Sequence, residues 1–152
     1  MSQAARPGFY AKVCQFKVTL DEIEVAEFRE ARGLTVVHEV LGFSEGGMND
    51  REHKLVGAAR YSPIVLSFGS SSSTALFDWV KAAIGGQIQR KNGSIMALDQ
   101  IGDVVCRWDF MEAWPSNYSG PSFDARDSDV AIERLELSHR GFDMKPAEST
   151  GG

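Results

Sequence analysis

The sequence predicts a mainly β domain with one short α-helix. Apolar and polar residues alternate along most of its apolar-rich segments, which is typical of strands buried on one face. Only one segment repeats its apolar residues at helical spacing instead. The chain has 152 residues, of which 43% are hydrophobic and 24% charged, and this length and composition indicate one domain with a folded core.

The first part of the chain predicts three strands in a meander. Residues 13–20 place apolar side chains on one face and polar side chains on the other. Residues 23–31 and 34–43 predict two further strands, with Gly33 at the turn between them. Three apolar residues share one face of the third strand: Val37, Leu41 and Phe43.

A strand and the helix are predicted after Pro63. Residues 64–68 alternate as a strand does. Ser73 or Thr74 can serve as the N-cap of the helix, and the glycine pair at 85–86 ends it.

The last third of the chain predicts three more strands. Residues 87–98 and 103–114 predict a hairpin, and residues 130–139 predict a final strand. The apolar parity changes within the final strand near Glu133, which predicts a bulge. The segment 114–123 is rich in turn residues.

The segment 44–60 interrupts the alternation, and its paired glycines and many charges predict a long loop. Loops longer than about 12–15 residues are uncommon in compact domains, where they usually carry a function or are disordered. The residues alone leave three alternatives open: a catalytic or binding loop, an assembly arm, and a floppy insertion. The predicted domain thus has a core over about residues 13–142, this loop, and solvated tails at 1–7 and 144–152.

Charge and apolar content limit the classes of function. The net charge of -5 and the lack of a Lys or Arg cluster argue against a general nucleic-acid or anionic-membrane binder, because phosphates attract clustered basic side chains. Residues 1–16 lack the apolar core of a signal peptide, and no run approaches the roughly 18 apolar residues of a membrane span. We therefore expect a soluble chain that is made in the cytoplasm.

No segment has the specificity of a catalytic motif. Cys14 and Cys106 lie in strand-like patterns without a metal-ligand spacing, which favours buried free thiols. A Cys–His nucleophile needs one of them to meet a histidine, and spacing alone leaves that open. The Asp-rich segment 124–129 predicts a solvated turn, and Trp79 is expected in the core. We expect no catalytic residue, metal or cofactor.

Ten short stretches occur in a characteristic order and at characteristic distances. They are 16–21 (FKVTLD), 45–47 (EGG), 54–57 (KLVG), 61–63 (YSP), 76–79 (LFDW), 107–110 (RWDF), 113–115 (AWP), 118–121 (YSGP), 131–133 (AIE) and 135–137 (LEL). This order closely resembles the tail-tube family of contractile phages and of phage-derived extracellular injection systems. That family is structurally related to the hemolysin-coregulated protein of type VI secretion.

The resemblance implies two packed antiparallel sheets that form a small barrel flanked by a helix. It implies that six copies form a ring whose inner sheets join into a continuous wide β-barrel, and that rings stack into a tube. In this family a contracting sheath drives the tube through a target envelope, and cargo passes through the lumen. The resemblance therefore implies a structural protein without a cofactor, assembled in the cytoplasm of a bacterium and then part of a phage tail-like particle.

The resemblance also favours an assembly arm for the predicted loop, which is expected to reach the adjacent subunit and ring. The residues expected at these contacts are Glu45, Gly46, Gly47, Asn49, Asp50, Arg51, Lys54 and Leu55. The implied partners are other copies of the chain, a sheath protein, baseplate or hub and terminator proteins, and protein cargo. Neither a specific nucleic-acid sequence nor a membrane span is implied.

Three rival functions stay open. Within the family, the chain can be a tube-initiator paralogue that lies next to the baseplate hub. Outside it, the rivals are a monomeric small-molecule-binding β-barrel with an apolar pocket and a Cys–His hydrolase, which a thiol reagent would inactivate.

Overall fold

The computed structural model describes residues 15–21, 23–24, 28–43, 53–70, 74–126 and 131–146. Within these ranges the chain forms ten strands and one helix. They are β1 (Gln15–Leu20), β2 (Ile23–Glu24), β3 (Phe28–Arg32), β4 (Val36–Phe43), β5 (His53–Tyr61), β6 (Ile64–Gly69), α1 (Ala75–Ile84), β7 (Lys91–Leu98), β8 (Val104–Ser119), β9 (Ile132–Ser138) and β10 (Gly141–Pro146). The predicted mainly β fold with one helix is confirmed.

Two antiparallel sheets share the long strand β8. The first sheet contains β2, β1, β7, the first half of β8, and β10. The second sheet contains β3, β6, β9 and the second half of β8. Among the described strands no hydrogen-bonded ladder joins β3 to β1 or β2, so hydrogen bonds do not close the two sheets into a barrel there.

Strand β8 changes sheets at Glu112, whose φ of 51° lies in the left-handed region. A residue with a Cβ adopts that region only when its surroundings hold it there. The Glu112 amide donates to Asn92 Oδ1 at 3.0 Å, and Arg140 Nη1 donates to Glu112 Oε2 at 2.8 Å. These bonds hold the bend that lets one strand serve two sheets.

The core lies between the sheets and under helix α1. Its buried side chains are Val18, Leu20, Ile64, Leu66, Phe68, Leu76, Trp79, Val80, Ile95, Phe110, Ala113, Leu135 and Leu137. Trp79 is only 4% exposed, and its indole Nε1 donates to Gln89 O at 2.7 Å. The predicted core position of Trp79 is confirmed, and the helix begins after Thr74 and ends before Gly85, as predicted.

The predicted long loop over 44–60 is wrong in its second half, where β5 forms a nine-residue strand paired with β4. Residues 44–52 lie outside the described residues. The β5 sequence is HKLVGAARY, with small residues at its centre, and described side chains on both of its faces are exposed. Because neither face enters the core, the strand lacks the alternation on which the prediction depended.

The end of the chain also differs from the prediction. Residues 144–146, predicted as part of a solvated tail, belong to β10, which pairs with β8. The predicted turn segment 114–123 is strand as far as Ser119. A short strand with charged residues at a sheet edge has the composition of a tail, so its sequence pattern is weak.

Two details of the predicted strands need correction. The final strand, β9, has no bulge near Glu133, because its register with β6 is regular. The irregularity lies in the pairing of β9 with β8, between Pro115 and Asn117 of β8. Ile132 is exposed, so the change of parity does not mark a second core face. Within the predicted strand 23–31, the structure describes two separate strands, β2 and β3.

Candidate assembly surfaces

The hairpin of β4 and β5, here called the arm, forms a two-stranded sheet of its own. Val40 lies opposite Val56, and these side chains are 62% and 80% exposed. Further exposed apolar side chains of the arm are Val36, Val37, Leu41 and Leu55. An isolated hairpin is marginally stable in water, and monomeric proteins rarely expose large apolar patches. The arm is therefore a candidate interaction surface.

The apolar face predicted for β4 does not pack in the core. Val37 and Leu41, two residues of the predicted face, are both exposed. The side chain of Phe43 lies outside the described residues. The apolar pattern therefore predicted the strand correctly, but nothing in the described fold covers this face.

Aromatic packing joins the base of the arm to the body of the domain. The ring of Tyr61 packs against Phe142 and His139, with centroid distances of 5.4 and 5.7 Å. His139 Nε2 lies 2.9 Å from the Ser62 carbonyl oxygen. These contacts fix where the arm leaves the domain, next to the first residues of β10.

The first sheet has an open edge on each side within the described residues. On one side, β2 pairs only with Thr19 and Leu20, so the outer edge of β1 is unpaired over residues 15–18. On the other side, β10 pairs with β8 alone. Unpaired backbone N–H and C=O groups on an edge strand are a template for another strand. These edges are the second candidate assembly surface.

The outer face of the first sheet is mainly polar. Cross-strand registers place Thr19, Ser94, Asp109 and Asp143 in one row, and Lys17, Met96, Arg107 and Lys145 in the next. Side chains on these rows line an open cavity of about 450 Å³. The face can therefore hold water and polar solutes.

An ion-pair network crosses this face and is centred on Asp109. Its carboxylate accepts from Ser94 Oγ at 2.6 Å and lies 3.0 Å from Arg107 Nε and 2.9 Å from Lys145 Nζ. Partial burial opposes ionisation, but the hydrogen bonds from Ser94 and Lys145 and the nearby charges outweigh it and lower the pKa of Asp109. The network ties β7, β8 and β10 together.

The predicted contact residues are described only in part. Six of them lie outside the described residues: Glu45, Gly46, Gly47, Asn49, Asp50 and Arg51. Lys54 and Leu55 are exposed on β5, where they lie opposite Gly42 and Leu41. Sequence reasoning missed Val36, Val40 and Val56 as surface residues. The usable signal was that apolar residues occupy both parities of β4, so this strand has no wholly polar face.

The described residues do not form the Cys–His nucleophile pair or the metal site that the sequence left open. Cys106 is half-buried on β8. His139 packs beside Phe110, which lies four positions further along the same strand. The Cα atoms of Cys106 and Phe110 are therefore roughly 13 Å apart at the usual strand rise. Cys14 lies outside the described residues. Among the described side chains, no three His, Cys, Asp or Glu residues could hold a metal ion. No helix in the described ranges is long and apolar enough to cross a membrane.

The described fold and its surfaces define a class of protein, namely a β domain with unpaired sheet edges within the described ranges and an exposed apolar arm. The family model of the T4-like virus tail tube protein gp19 matches residues 12–143. The chain therefore belongs to this tail tube family and is a structural tube protein. None of the curated proteins compared with it matches the chain.

Solved structures share the fold. A chain of the sheath–tube complex of the PVC extracellular contractile injection system in its extended state is 24% identical, with a TM-score of 0.83 over 93% of this chain and 95% of that one. A chain of the anti-feeding prophage tube-terminating cap is 26% identical, with a TM-score of 0.79 over 97% and 95%. Hcp1 from Flavobacterium johnsoniae is 20% identical, with a TM-score of 0.53 over 87% and 95%. The resemblance to tube proteins is thus confirmed.

Proposed function

We propose that six copies of this chain form a ring and that rings stack into a hollow, rigid tube. The open edges of the first sheet support the ring. Strands β1 and β8 run in one direction and β7 and β10 in the other. β10 of one copy beside β1 of the next therefore continues the antiparallel order. Such a head-to-tail contact repeats from copy to copy and closes when its rotation is suitable.

The arm of each copy packs on the adjacent subunit and ring. Its exposed apolar side chains supply the buried area that a lasting contact needs. Its base lies beside the start of β10, so it leaves the domain near the edge to which the next copy adds. The residues predicted for this contact are Lys54 and Leu55 on β5 and six residues between β4 and β5 in the sequence, namely Glu45, Gly46, Gly47, Asn49, Asp50 and Arg51.

The outer face of the first sheet lines the lumen of the tube. This face carries cations and carboxylates in neighbouring rows and few apolar side chains, so it stays hydrated and binds protein cargo weakly. The chain acts as a wall and a conduit, and its function needs no catalytic step.

The outside and the ends of the tube contact the other parts of a contractile particle. The related structures include a sheath–tube complex, a baseplate and a tube-terminating cap. These relatives support a sheath protein around the tube and baseplate and terminator proteins at its ends. Contraction of the sheath then drives the tube through a target envelope.

Negative-stain electron microscopy of the purified full chain tests the proposed function. We expect rings with sixfold symmetry, or tubes of stacked rings, at high protein concentration. Sedimentation analysis at the same concentrations measures the mass of the assembly in solution. A chain that sediments as a folded monomer at every concentration and salt level would reject the proposal.

A further inference from the structure

The two open edges of the first sheet each offer unpaired residues to a new strand within the described ranges. On the β1 side, β2 occupies the edge beside Thr19 and Leu20, which leaves residues 15–18 for a new strand. On the other side, β10 offers the edge of six residues ending in Pro146. Proline lacks the N–H that a ladder needs, so pairing is limited at that end. Each edge thus offers at least four described residues to a new strand.

We propose that β10 of one copy pairs with β1 of the next copy in one register, with Asp143 opposite Lys17. This inference rests on the ring proposed above and names the contact that closes it. In this antiparallel register Met144 lies opposite Phe16, and Lys145 lies opposite Gln15. The occupant of each edge is therefore a second copy of this chain.

The side-chain alternation restricts the possible registers. On β1 the side chains of Phe16 and Val18 point to the core and that of Lys17 points outward. On β10, Asp143 and Lys145 belong to the outward rows. A slip of one residue places charged side chains of one strand on the apolar face of the other, so only slips of two residues compete.

Charge distinguishes the remaining registers. A slip of two residues in one direction places Lys145 opposite Lys17, and like charges directly opposite destabilise a strand pair. Lys145 already lies 2.9 Å from Asp109. Among the described residues, neither Lys17 nor Asp143 takes part in a salt bridge within the chain. In the proposed register these two side chains lie opposite each other and form an ion pair across the boundary between copies.

Apolar burial gives the same register. Met144 has the parity of Phe142, which packs against the core, yet Met144 is 59% exposed because the strand edge beyond it is open. A neighbouring Phe16 would cover it. A slip of two residues in the other direction places Phe142, which already packs against the core, opposite Phe16, and it places Gly141 opposite Lys17, so the lysine loses its carboxylate partner.

Charge reversal tests the contact. We expect Lys17→Glu and Asp143→Lys each to abolish rings and tubes, and the double variant K17E/D143K to restore them, with all three variants folded by circular dichroism. Single variants that assemble like the parent would overturn the register, as would a folded double variant that stays monomeric. A parent chain that never assembles would reject the proposed function itself.

Cysteine crosslinking tests the register independently in tubes of a chain whose native cysteines are replaced by serine. Directly opposite residues on paired strands have Cα atoms about 4.5–5.5 Å apart, which a disulfide can span. We expect Gln15→Cys combined with Lys145→Cys to give a ladder of crosslinked copies up to six. The matched pair, Lys17→Cys with Lys145→Cys, forms a disulfide in the competing register, which places Lys145 opposite Lys17. A ladder from that pair alone would overturn the inference while leaving the ring intact.

Discussion

The ring of Tyr61, at the end of arm strand β5, packs edge-on against Phe142 of β10, with centroids 5.4 Å apart and planes at 76°. A Cβ on Gly141 would come within 3.3 Å of the same tyrosine ring, so glycine at this position allows the close approach. The arm and the open edge of the first sheet are therefore joined by direct contact. A change at the base of one is expected to affect the other.

Replacing Tyr61 with alanine is expected to lower stability by about 1 kcal/mol and to reduce tube formation, because the change removes an aromatic pair that orients the arm. Thermal melting measures the first effect and electron microscopy the second. Tyr61→Phe keeps the ring and is the matched control, which should behave like the parent. Normal tubes from the alanine variant would contradict the role of this contact.

Replacing Val56 with lysine is expected to leave the monomer stable and to block assembly. The side chain is 80% exposed in the single chain, so the change costs little there, whereas a buried lysine at a subunit contact lacks a partner. Val56→Thr keeps the branched shape and should still assemble. Melting curves and sedimentation give the two readouts. Unimpaired assembly of the lysine variant would show that this face of the arm stays in solvent.

Replacing Trp79 with alanine is expected to destabilise the fold by about 3–5 kcal/mol, because the change leaves a cavity under helix α1 and leaves the Gln89 carbonyl without its donor. Chemical denaturation measures the loss. Ile84→Ala, on the exposed side of the same helix, is the control and should change stability by about 0.5 kcal/mol or less. Equal effects of the two changes would contradict the core position of Trp79.

The lowered pKa of Asp109 predicts a pH-dependent contribution to stability. A carboxyl group with a folded pKa below its ordinary value of 3.8 stabilises the fold above that value, and the contribution is lost as the pH falls through the folded pKa. Asp109→Asn is therefore expected to cost about 1 kcal/mol at neutral pH and progressively less in acid. Denaturation curves of the parent and the variant, recorded at neutral pH and in acid, check this. A constant difference would contradict the ion-pair network.

Tyr118 donates a hydrogen bond to the Glu133 carboxylate. Burial, this bond and the negative charge of Glu133 raise the pKa of Tyr118 from 10.0 to about 12. The stabilisation that results is present below about pH 10 and is lost as the pH rises towards 12. An ultraviolet titration of the folded chain should show one phenol that ionises late, and Tyr118→Phe should remove it. A late transition that persists in the variant would refute the assignment.

The strands that bury one face could be predicted from the sequence, because the core imposes a period of two on their side chains. β1 and β7 are examples, with Val18 and Ile95 buried as the pattern requires. Helix α1 could be predicted from its helical spacing instead, with Trp79 buried. The arm strand β5 could not be predicted this way. In the single chain the described side chains on both of its faces are exposed, so no core imposes a period of two on its sequence.

The candidate site could be predicted only as a region. Seven of the eight residues chosen at 44–60 are polar or glycine, Leu55 being the exception, whereas the exposed residues that the structure describes on the arm include four valines and two leucines. The edge formed by β10 was missed because four of its six residues are exposed and two carry charge. Neither a sheet edge nor the partner of Lys17 is a local property of the sequence. Both depend on which strands the fold brings together.

A cryo-electron microscopy reconstruction of tubes grown from the full chain tests the central claim most directly, because it resolves which strands join neighbouring copies. We predict six copies per ring, with β10 of each copy hydrogen-bonded to β1 of the next and the arm packed on adjacent copies. Rings in which these edges face solvent, or in which the arm contacts no other copy, would contradict the account.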